Sequence, residues 1–234
     1  MGDHVKLAPD TGMTDLPRRR RGRPPVDQRV VSRAQILDHA LRAFATHGYE
    51  AMSVRALSLD LGGSPHLVRH YYGSKQALWE ASVDRVLDRV RQALQPLSEH
   101  AQSAPISREV ARDVLEQTIR IAVETPDLVR IALDEGRVGG PRLDHLFAKG
   151  FDPVDKTLTM IVRALRGDDA AVTPDEQQSL FFIGLVGAAA PFFASALSER
   201  FAGGEPMSND AKEHHIRLVV DMILHQWEHA ASSD

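Results

Sequence analysis

Few residues in this chain are spaced so that they could do chemistry. His225-Gln-Trp-Glu228-His229 has the H-x-x-E-H spacing of one class of zinc peptidase, with both histidines on one helical face. Only five residues follow His229 here. They are too few to bring a further ligand, and a fraying segment is a poor platform for catalysis, so a satisfied or solvent-facing pair is expected. His66 and His70 are also four apart, but nucleic-acid contact accounts for them without a third ligand. His214 and His215 are adjacent and diverge around their helix. The chain has no G-x-S-x-G, Walker-type loop, Rossmann glycine pattern or paired-carboxylate spacing. It also has no cysteine, which removes disulfides, thiolate metal sites and thiol nucleophiles and fits a reducing cytoplasm. The sequence therefore points away from an enzyme, with no metal and no cofactor expected.

The remaining feature is cationic. Arg18, Arg19, Arg20, Arg21 and Arg23 occupy five of six positions between Pro17 and Pro24. They sit in a stretch, residues 1–27, that mixes Asp, Gly, Thr, Pro and Arg without apolar periodicity and reads as a disordered arm. Such an arm can track phosphates or enter an A·T-rich minor groove. The core around Arg21 and Arg23 resembles the AT-hook, a minor-groove motif. A solvated tail that aids solubility, or one drawn to a membrane surface, would have the same composition.

Positioning a nucleic-acid surface requires a scaffold, and residues 53–75 supply one. Val54, Leu57 and Leu61 recur at three and four residues, predicting a short helix that starts after Ser53. Gly62 and Gly63 end it. Ser64 is then expected to cap a second short helix, with Pro65 at its first position, running to about Tyr72 and burying Val68 and Tyr72. His66, Arg69, His70 and Tyr71 are left pointing outward on a face without an acidic residue. Such a face can donate to phosphates and to base edges in a major groove. Gly73 and Ser74 turn the chain into a third helix that opens at Lys75, whose first amides could also meet a phosphate. Helix, tight glycine turn and helix make a helix-turn-helix arrangement. A three-helix packing unit with a polar outer face would show the same spacing.

The wider pattern carries a resemblance. Ile36-Leu37-x-x-Ala40-Leu41-x-x-Phe44-Ala45-x-x-Gly48-Tyr49-x-x-x-Ser53-Val54-Arg55, then Leu61-Gly62-x-Ser64 and Tyr71-Tyr72-Gly73-Ser74-Lys75-x-x-Leu78, are similar to the DNA-binding signature of the tetracycline-repressor-like (TetR) family. The likeness covers roughly residues 32–80. It implies that Ser53, Ser64, Pro65, His66, Leu67, Arg69, His70, Tyr71 and Lys75 form the DNA-contacting surface. Gly63 stands where the family usually has valine, Arg69 where it usually has tyrosine, and Pro65-His66-Leu67 replaces the commoner lysine, glycine and threonine. A glycine at 63 is expected to weaken the packing of the turn. The operator of a relative cannot be carried over to this recognition surface.

The charge distribution agrees with a single DNA-facing end. Of the net charge of −4, residues 1–80 hold 12 Lys/Arg against 8 Asp/Glu, and residues 81–234 hold 16 against 24. The 234 residues suffice for a sizeable core in one or two domains. No apolar stretch precedes the first helix, so no signal peptide is expected and the reading is cytoplasmic.

The expected fold is all-α: an N-terminal helix-turn-helix domain (28–80), then a larger helical ligand-binding and dimerisation domain (81–230). Ser32-Arg-Ala-Gln35 is a capping box that opens the first helix, which ends at Gly48. The helix from Lys75 continues to the Pro96 region, and residues 98–105 read as a loop. A helix from Ile106 stops at Pro126, a shorter one spans Asp127 to about Gly136, and Gly139-Gly140-Pro141 interrupts the chain. Asp152-Pro153 begins another helix, which Gly167 ends. Thr173-Pro174-Asp175-Glu176 caps the most apolar segment, Leu180 to Leu197, eighteen residues without a charge. Its five alanines, two glycines and one proline make it a buried helix, not a membrane span.

This segment and the last helix, about Ala211 to Glu228, offer a four-helix interface to a second copy. Phe182, Leu185, Val186, Ala189, Phe193, Ile216, Val220, Ile223 and Trp227 are the interface candidates, with simple intramolecular core as the alternative. The resemblance also implies a homodimer, and a helix-turn-helix dimer reads two half-sites about 34–36 Å apart. It further implies a pocket for a small apolar effector between the exit helix and the helices behind it. Candidate walls are Phe181, Phe182, Phe192 and Phe193, and candidate polar contacts are Arg120, Glu124, Glu135 and His145. The carboxy-terminal part is similar to regulators of the CecR-type branch through Pro141-Arg142-Leu143 and the Gly184 to Phe193 run. The function expected is a repressor that a ligand releases from its double-stranded operator through a coupling free energy between two sites. An activator or architectural DNA-binding protein without small-molecule control, and a protein interaction module, share enough of these features to stand as alternatives.

Overall fold

The computed structural model describes residues 31–101, 103–167, 172–204 and 207–229, and among these there is helix and no strand. The arginine arm, with Arg21 and Arg23, lies outside the described residues. Helix α1 (Arg33–Ala51) starts with the capping box foreseen: Ser32 Oγ accepts from Gln35 N at 3.2 Å, and Gln35 Oε1 accepts from Ser32 N at 2.9 Å. Its last turn is set off by Gly48 at φ 73°. Helices α2 (Val54–Asp60) and α3 (Leu67–Tyr72) follow, and then the long α4 (Lys75–Ala101).

Helix α4 runs past Pro96 instead of stopping there. Proline removes one backbone donor, but Leu94 and Leu97 lie on the buried stripe either side of it, and their burial carries the helix through. Residues 98–101 are therefore helix, not loop. Helix α5 (Arg108–Glu124) is capped by Ser107, and α6 (Pro126–Val138) begins on the proline that ends α5.

The stretch after Gly140 departs further from expectation. Pro141–Leu146 (α7), a π-helical turn Phe147–Phe151 and Asp152–Arg166 (α8) form successive helical segments where the sequence suggests a helix only from Asp152. The π turn breaks the 3.6-residue rhythm, so the periodicity of 141–166 cannot be read as one helix. It also brings Gly150 so close to α4 that a Cβ there would overlap Leu87.

The apolar run is likewise divided. Thr173 caps α9 (Pro174–Leu180), a second π turn occupies Phe181–Val186, α10 spans Gly187–Phe193, and Ala194 (φ −103°, ψ 43°) breaks the run before α11 (Ser195–Phe201). It is not buried all round, since Phe182, Ile183 and Leu197 are exposed. No single helix among the described residues is long and apolar enough to cross a membrane. The last helix, α12 (Asn209–His229), packs on α5 and α8. Arg166, half-buried at the end of α8, donates to Trp227 O at 2.8 Å and pairs with Glu176 at 3.0 Å, which ties α8, α9 and α12 together.

One core runs from Ile36, Phe44 and Val68 through Trp79 and Leu87 to Ile161, Ile216 and Trp227. Helix α1 packs on both α4 and α6. The first three helices therefore share a continuous interior with the rest of the fold, a condition for any change in one region to be felt in the other.

Candidate nucleic-acid interface and effector cavity

The helix-turn-helix is organised by a residue that gives no sequence signal of its own. Ser58 is fully buried. Its hydroxyl donates to Val54 O at 2.9 Å and accepts from Val68 N at 3.3 Å, supplying α3 with a cap from the preceding helix. Ser64, expected to cap α3 with its side chain, contributes its carbonyl instead, accepting from Leu67 N at 2.9 Å, and α3 starts two residues later than foreseen. Gly62, at φ 71°, makes the turn in a conformation that few other residues adopt. Gly63 does not leave the turn hollow. A Cβ at that position would overlap Leu67 Cδ2, so the leucine side chain fills the space.

This arrangement exposes His66, Arg69, His70 and Tyr71 together, with Val68 wholly buried beneath them. Tyr71 has the edge of His70 at 5.6 Å and the Arg33 guanidinium at 5.6 Å from its ring centroid. Tyr72 is half-buried, not buried, and its hydroxyl reaches Arg33 O at 3.5 Å. Burial holds that phenol above its ordinary pKa, against the opposing pull of Arg33 and Arg85.

The other candidates have structural partners. Ser53 caps α2 by accepting from Ala56 N at 3.3 Å. Leu67 is half-buried against the turn, and Pro65 is also half-buried. Lys75 donates to Glu50 O at 2.9 Å, with its ammonium 4.8 Å from the Tyr49 ring centroid, so it closes α1 onto α4.

Behind this head lies a cavity of about 580 Å³. Leu87 and Val90 of α4, Thr118, Ile121 and Ala122 of α5, and Leu128, Val129 and Ala132 of α6 form one side, and Phe147, Phe151, Phe181 and Phe182 of the two π turns form the other. The rings meet edge to face: Phe151 and Phe181 at 4.9 Å, Phe181 and Phe182 at 5.3 Å, Phe147 and Phe151 at 6.4 Å. Thr118 and Thr125 turn their hydroxyls back onto the carbonyls of Val114 and Ile121, so the wall they share is effectively apolar. Asp155, Gln177 and Gln178 bring polar atoms to another part of the wall. A concave, largely apolar space with a few converging polar groups is the usual form of a small-molecule site.

Residues 36–82 match the family described as bacterial regulatory proteins, tetR family. The match covers the helix-turn-helix head of the chain. Its amino-terminal region is 44% identical over 55 residues to the HTH-type transcriptional repressor AcnR of Corynebacterium efficiens, covering 24% of this chain and 29% of that protein. It is 34% identical over 68 residues to the HTH-type transcriptional regulator BetI of Rhizobium meliloti, covering 29% and 34%. The matches thus span about a third of these relatives' length. The fold extends further: a TetR-like transcriptional regulator from Rhodococcus sp. RHA1 superposes with a TM-score of 0.54 at 22% identity, over 86% of this chain and 96% of that one.

Several body candidates stand away from the cavity. Arg120 pairs with Glu213, clamping α5 to α12, and the contact holds the Glu213 carboxyl below its ordinary pKa. Glu124 pairs with Arg89 at 2.7 Å on the surface. His145 bonds Asp84 at 2.7 Å and meets Trp79 edge-on. Phe192 meets His215 edge to face, and Glu135 pairs with Arg142. None of these five lines the cavity, nor does Phe193, whereas Phe181 and Phe182 do. Phe147, Phe151 and Asp155 escape the helical pattern because of the first π turn, and Gln177 sits on a short polar helix that carries no pocket signal.

The dimer candidates need a similar correction. Ala189, Ile216, Val220 and Trp227 are 0–1% exposed, so they belong to the core of the chain itself. Leu185, Val186, Phe193 and Ile223 are half-buried, and Phe182 stands at the cavity wall. Helix α12 has two apolar stripes, and the larger one is turned inward. The outward stripe carries Leu218 (49% exposed) and Met222 (58%), with Ile183 (67%) exposed on the neighbouring π turn.

Proposed function

We propose that this chain is a homodimeric, sequence-specific DNA-binding transcriptional repressor, released from a double-stranded operator by a small, largely apolar effector. The observation that carries the reading is the outward group His66, Arg69, His70 and Tyr71 on α3 of a tetR-type head, whose core is continuous with the walls of a 580 Å³ cavity. Residues 28–80 act as the head and residues 81–230 as the effector and dimer body. Arg69 and His70 read base edges. Ser53, Ser64 and Tyr71 meet the phosphate backbone, and the arm with Arg21 and Arg23 adds phosphate or minor-groove contact.

Dimerisation supplies the second head. The exposed Leu218, Met222 and Ile183 are the surface through which two copies pair, since large apolar side chains gain from leaving water. An effector that fits the cavity in only one spacing of the heads then lowers operator affinity, and DNA lowers effector affinity to the same extent.

The test is selection of genomic fragments with the purified protein at moderate salt, followed by titration of the enriched duplex. A short palindrome bound by two or four chains, with preference lost in Arg69→Ala, supports the reading. Enrichment of no sequence, with binding that vanishes as salt rises, would reduce the protein to a non-specific DNA binder. Light scattering on Leu218→Glu/Met222→Lys checks the dimer: wild-type mass unchanged by the double substitution would remove this interface.

A further inference from the structure

The cavity wall includes a carboxylate that forms no ion pair among the described residues. Asp155, in the first turn of α8, is half-buried. Its Oδ2 accepts a hydrogen bond from Gln177 Nε2 at 3.4 Å. The adjacent Lys156 gives its ammonium to Asp152 at 2.7 Å instead. Burial pushes the Asp155 carboxyl above its ordinary pKa, with repulsion from Asp152 adding to the shift and Lys156 offsetting part of it. The other charged residue on the wall, Arg137, is paired with Asp134 at 3.7 Å, and its side chain is 80% exposed. It is therefore hydrated at the rim and does not compensate the carboxylate.

The rest of the wall is suited to a cation. Phe147, Phe151, Phe181 and Phe182 form a chain of edge-to-face rings, and an aromatic ring carries negative potential on its face. An anion in this space would meet Asp155 without a donor to neutralise it. A neutral molecule would bury the carboxylate further and give nothing in return. A cation with an apolar body satisfies both parts of the wall.

We propose that the cavity binds a lipophilic cation, an ammonium or phosphonium bearing aromatic or alkyl groups, with its charge beside Asp155 and its body among the phenylalanines of the two π turns. This rests on the reading of the cavity as the effector site and narrows the effector to one chemical class.

The full-length protein is titrated with 1-N-phenylnaphthylamine, an uncharged fluorescent probe of apolar cavities, which is then displaced with tetraphenylphosphonium or with its near-isosteric anion tetraphenylborate. The cation is expected to displace the probe at concentrations at least tenfold below those of the anion. Asp155→Asn should weaken the cation tenfold or more without weakening the neutral probe. Equal displacement by the two ions, or an Asp155→Asn variant that binds the cation as well as wild type, overturns the cation assignment while leaving the cavity as an effector site. Failure of the neutral probe to bind, or binding that survives cavity-filling by Ala132→Phe and by Leu133→Trp in variants with wild-type circular dichroism, overturns the effector reading and the cation assignment with it.

Discussion

The guanidinium of Arg142 lies 3.8 Å from the ring centroid of Tyr49, joining the first turn of α7 to the end of α1. The same side chain donates through Nε to Glu135 Oε1 of α6 at 2.8 Å and approaches Glu50 at 3.9 Å. Lys75 reaches the other part of this junction, bonding Glu50 O. Thus α6, which lines the cavity, is fastened to the end of the helix that braces the DNA-binding head. Small displacements of α6 have a direct mechanical path to α1.

Removing one partner of this junction is expected to cost more than removing both. The Glu135 side chain is 6% exposed and its Oε2 has no hydrogen-bond partner among the described residues, so in Arg142→Met a buried carboxylate loses the cation paired with it. Breaking such a pair costs about 3 kcal/mol or more. The double variant Glu135→Gln/Arg142→Met should recover a large share of that loss in denaturant unfolding. Arg142→Lys should not restore wild-type stability, because an ammonium cannot stack on Tyr49 while forking to a carboxylate. A double variant as unstable as the single one would mean that stacking, not charge, holds the junction.

Ser58→Ala is expected to loosen α3 specifically. The Val68 N–H and the Val54 carbonyl both use the hydroxyl, and Val68 N is left buried without an acceptor when it goes. The penalty for one such group is about 1–3 kcal/mol. Hydrogen exchange should show amides of residues 66–72 losing protection before those of α5 or α12. Uniform loss across the chain would place the role of Ser58 in global packing instead.

Gly63 and Leu67 should behave as a coupled pair. Gly63→Val pushes a side chain into the space held by Leu67, and overpacking of this kind costs about 1–3 kcal/mol. Leu67→Thr alone leaves a void in the turn. Together the two should approach wild-type stability, a non-additivity that a double-mutant cycle in urea measures directly. Additive losses would show that Leu67 does not fill the place of the missing side chain.

These relationships bear on how far the sequence was legible. The capping box at Ser32, the glycine turns and the outward spacing of His66, Arg69, His70 and Tyr71 follow local rules, and local rules are readable one element at a time. The cavity is not local. Its walls come from α4 to α6 and two π turns, and a π turn rotates every later residue to a new face, so Phe147, Phe151 and Asp155 do not fall into register with a single helix. Charge partners are equally non-local. Arg120 and Glu213 are 93 positions apart, and nothing in either neighbourhood marks the other. On α12 periodicity revealed an apolar stripe, Ile216 to Trp227, but could not say whether it met its own chain or another copy.

Asp155 provides the pH test. Its carboxyl is held above the ordinary value mainly by burial, so the folded protein binds that proton more tightly than the unfolded chain does. As pH rises through the ordinary aspartate range, near pH 4, towards and beyond the raised folded value, the unfolded state ionises more readily and stability falls. At neutral pH the ionised carboxylate therefore opposes folding. Asp155→Asn, which keeps an acceptor for Gln177, should raise the thermal midpoint at about pH 7, and the advantage should shrink as the pH drops below about 4. Adding tetraphenylphosphonium should raise the wild-type midpoint more than that of the variant, since ligand that binds only the folded state stabilises it by mass action. A variant that melts below wild type at neutral pH would identify Asp155 as a structural acceptor instead of a charge held, at some cost to the fold, for a partner.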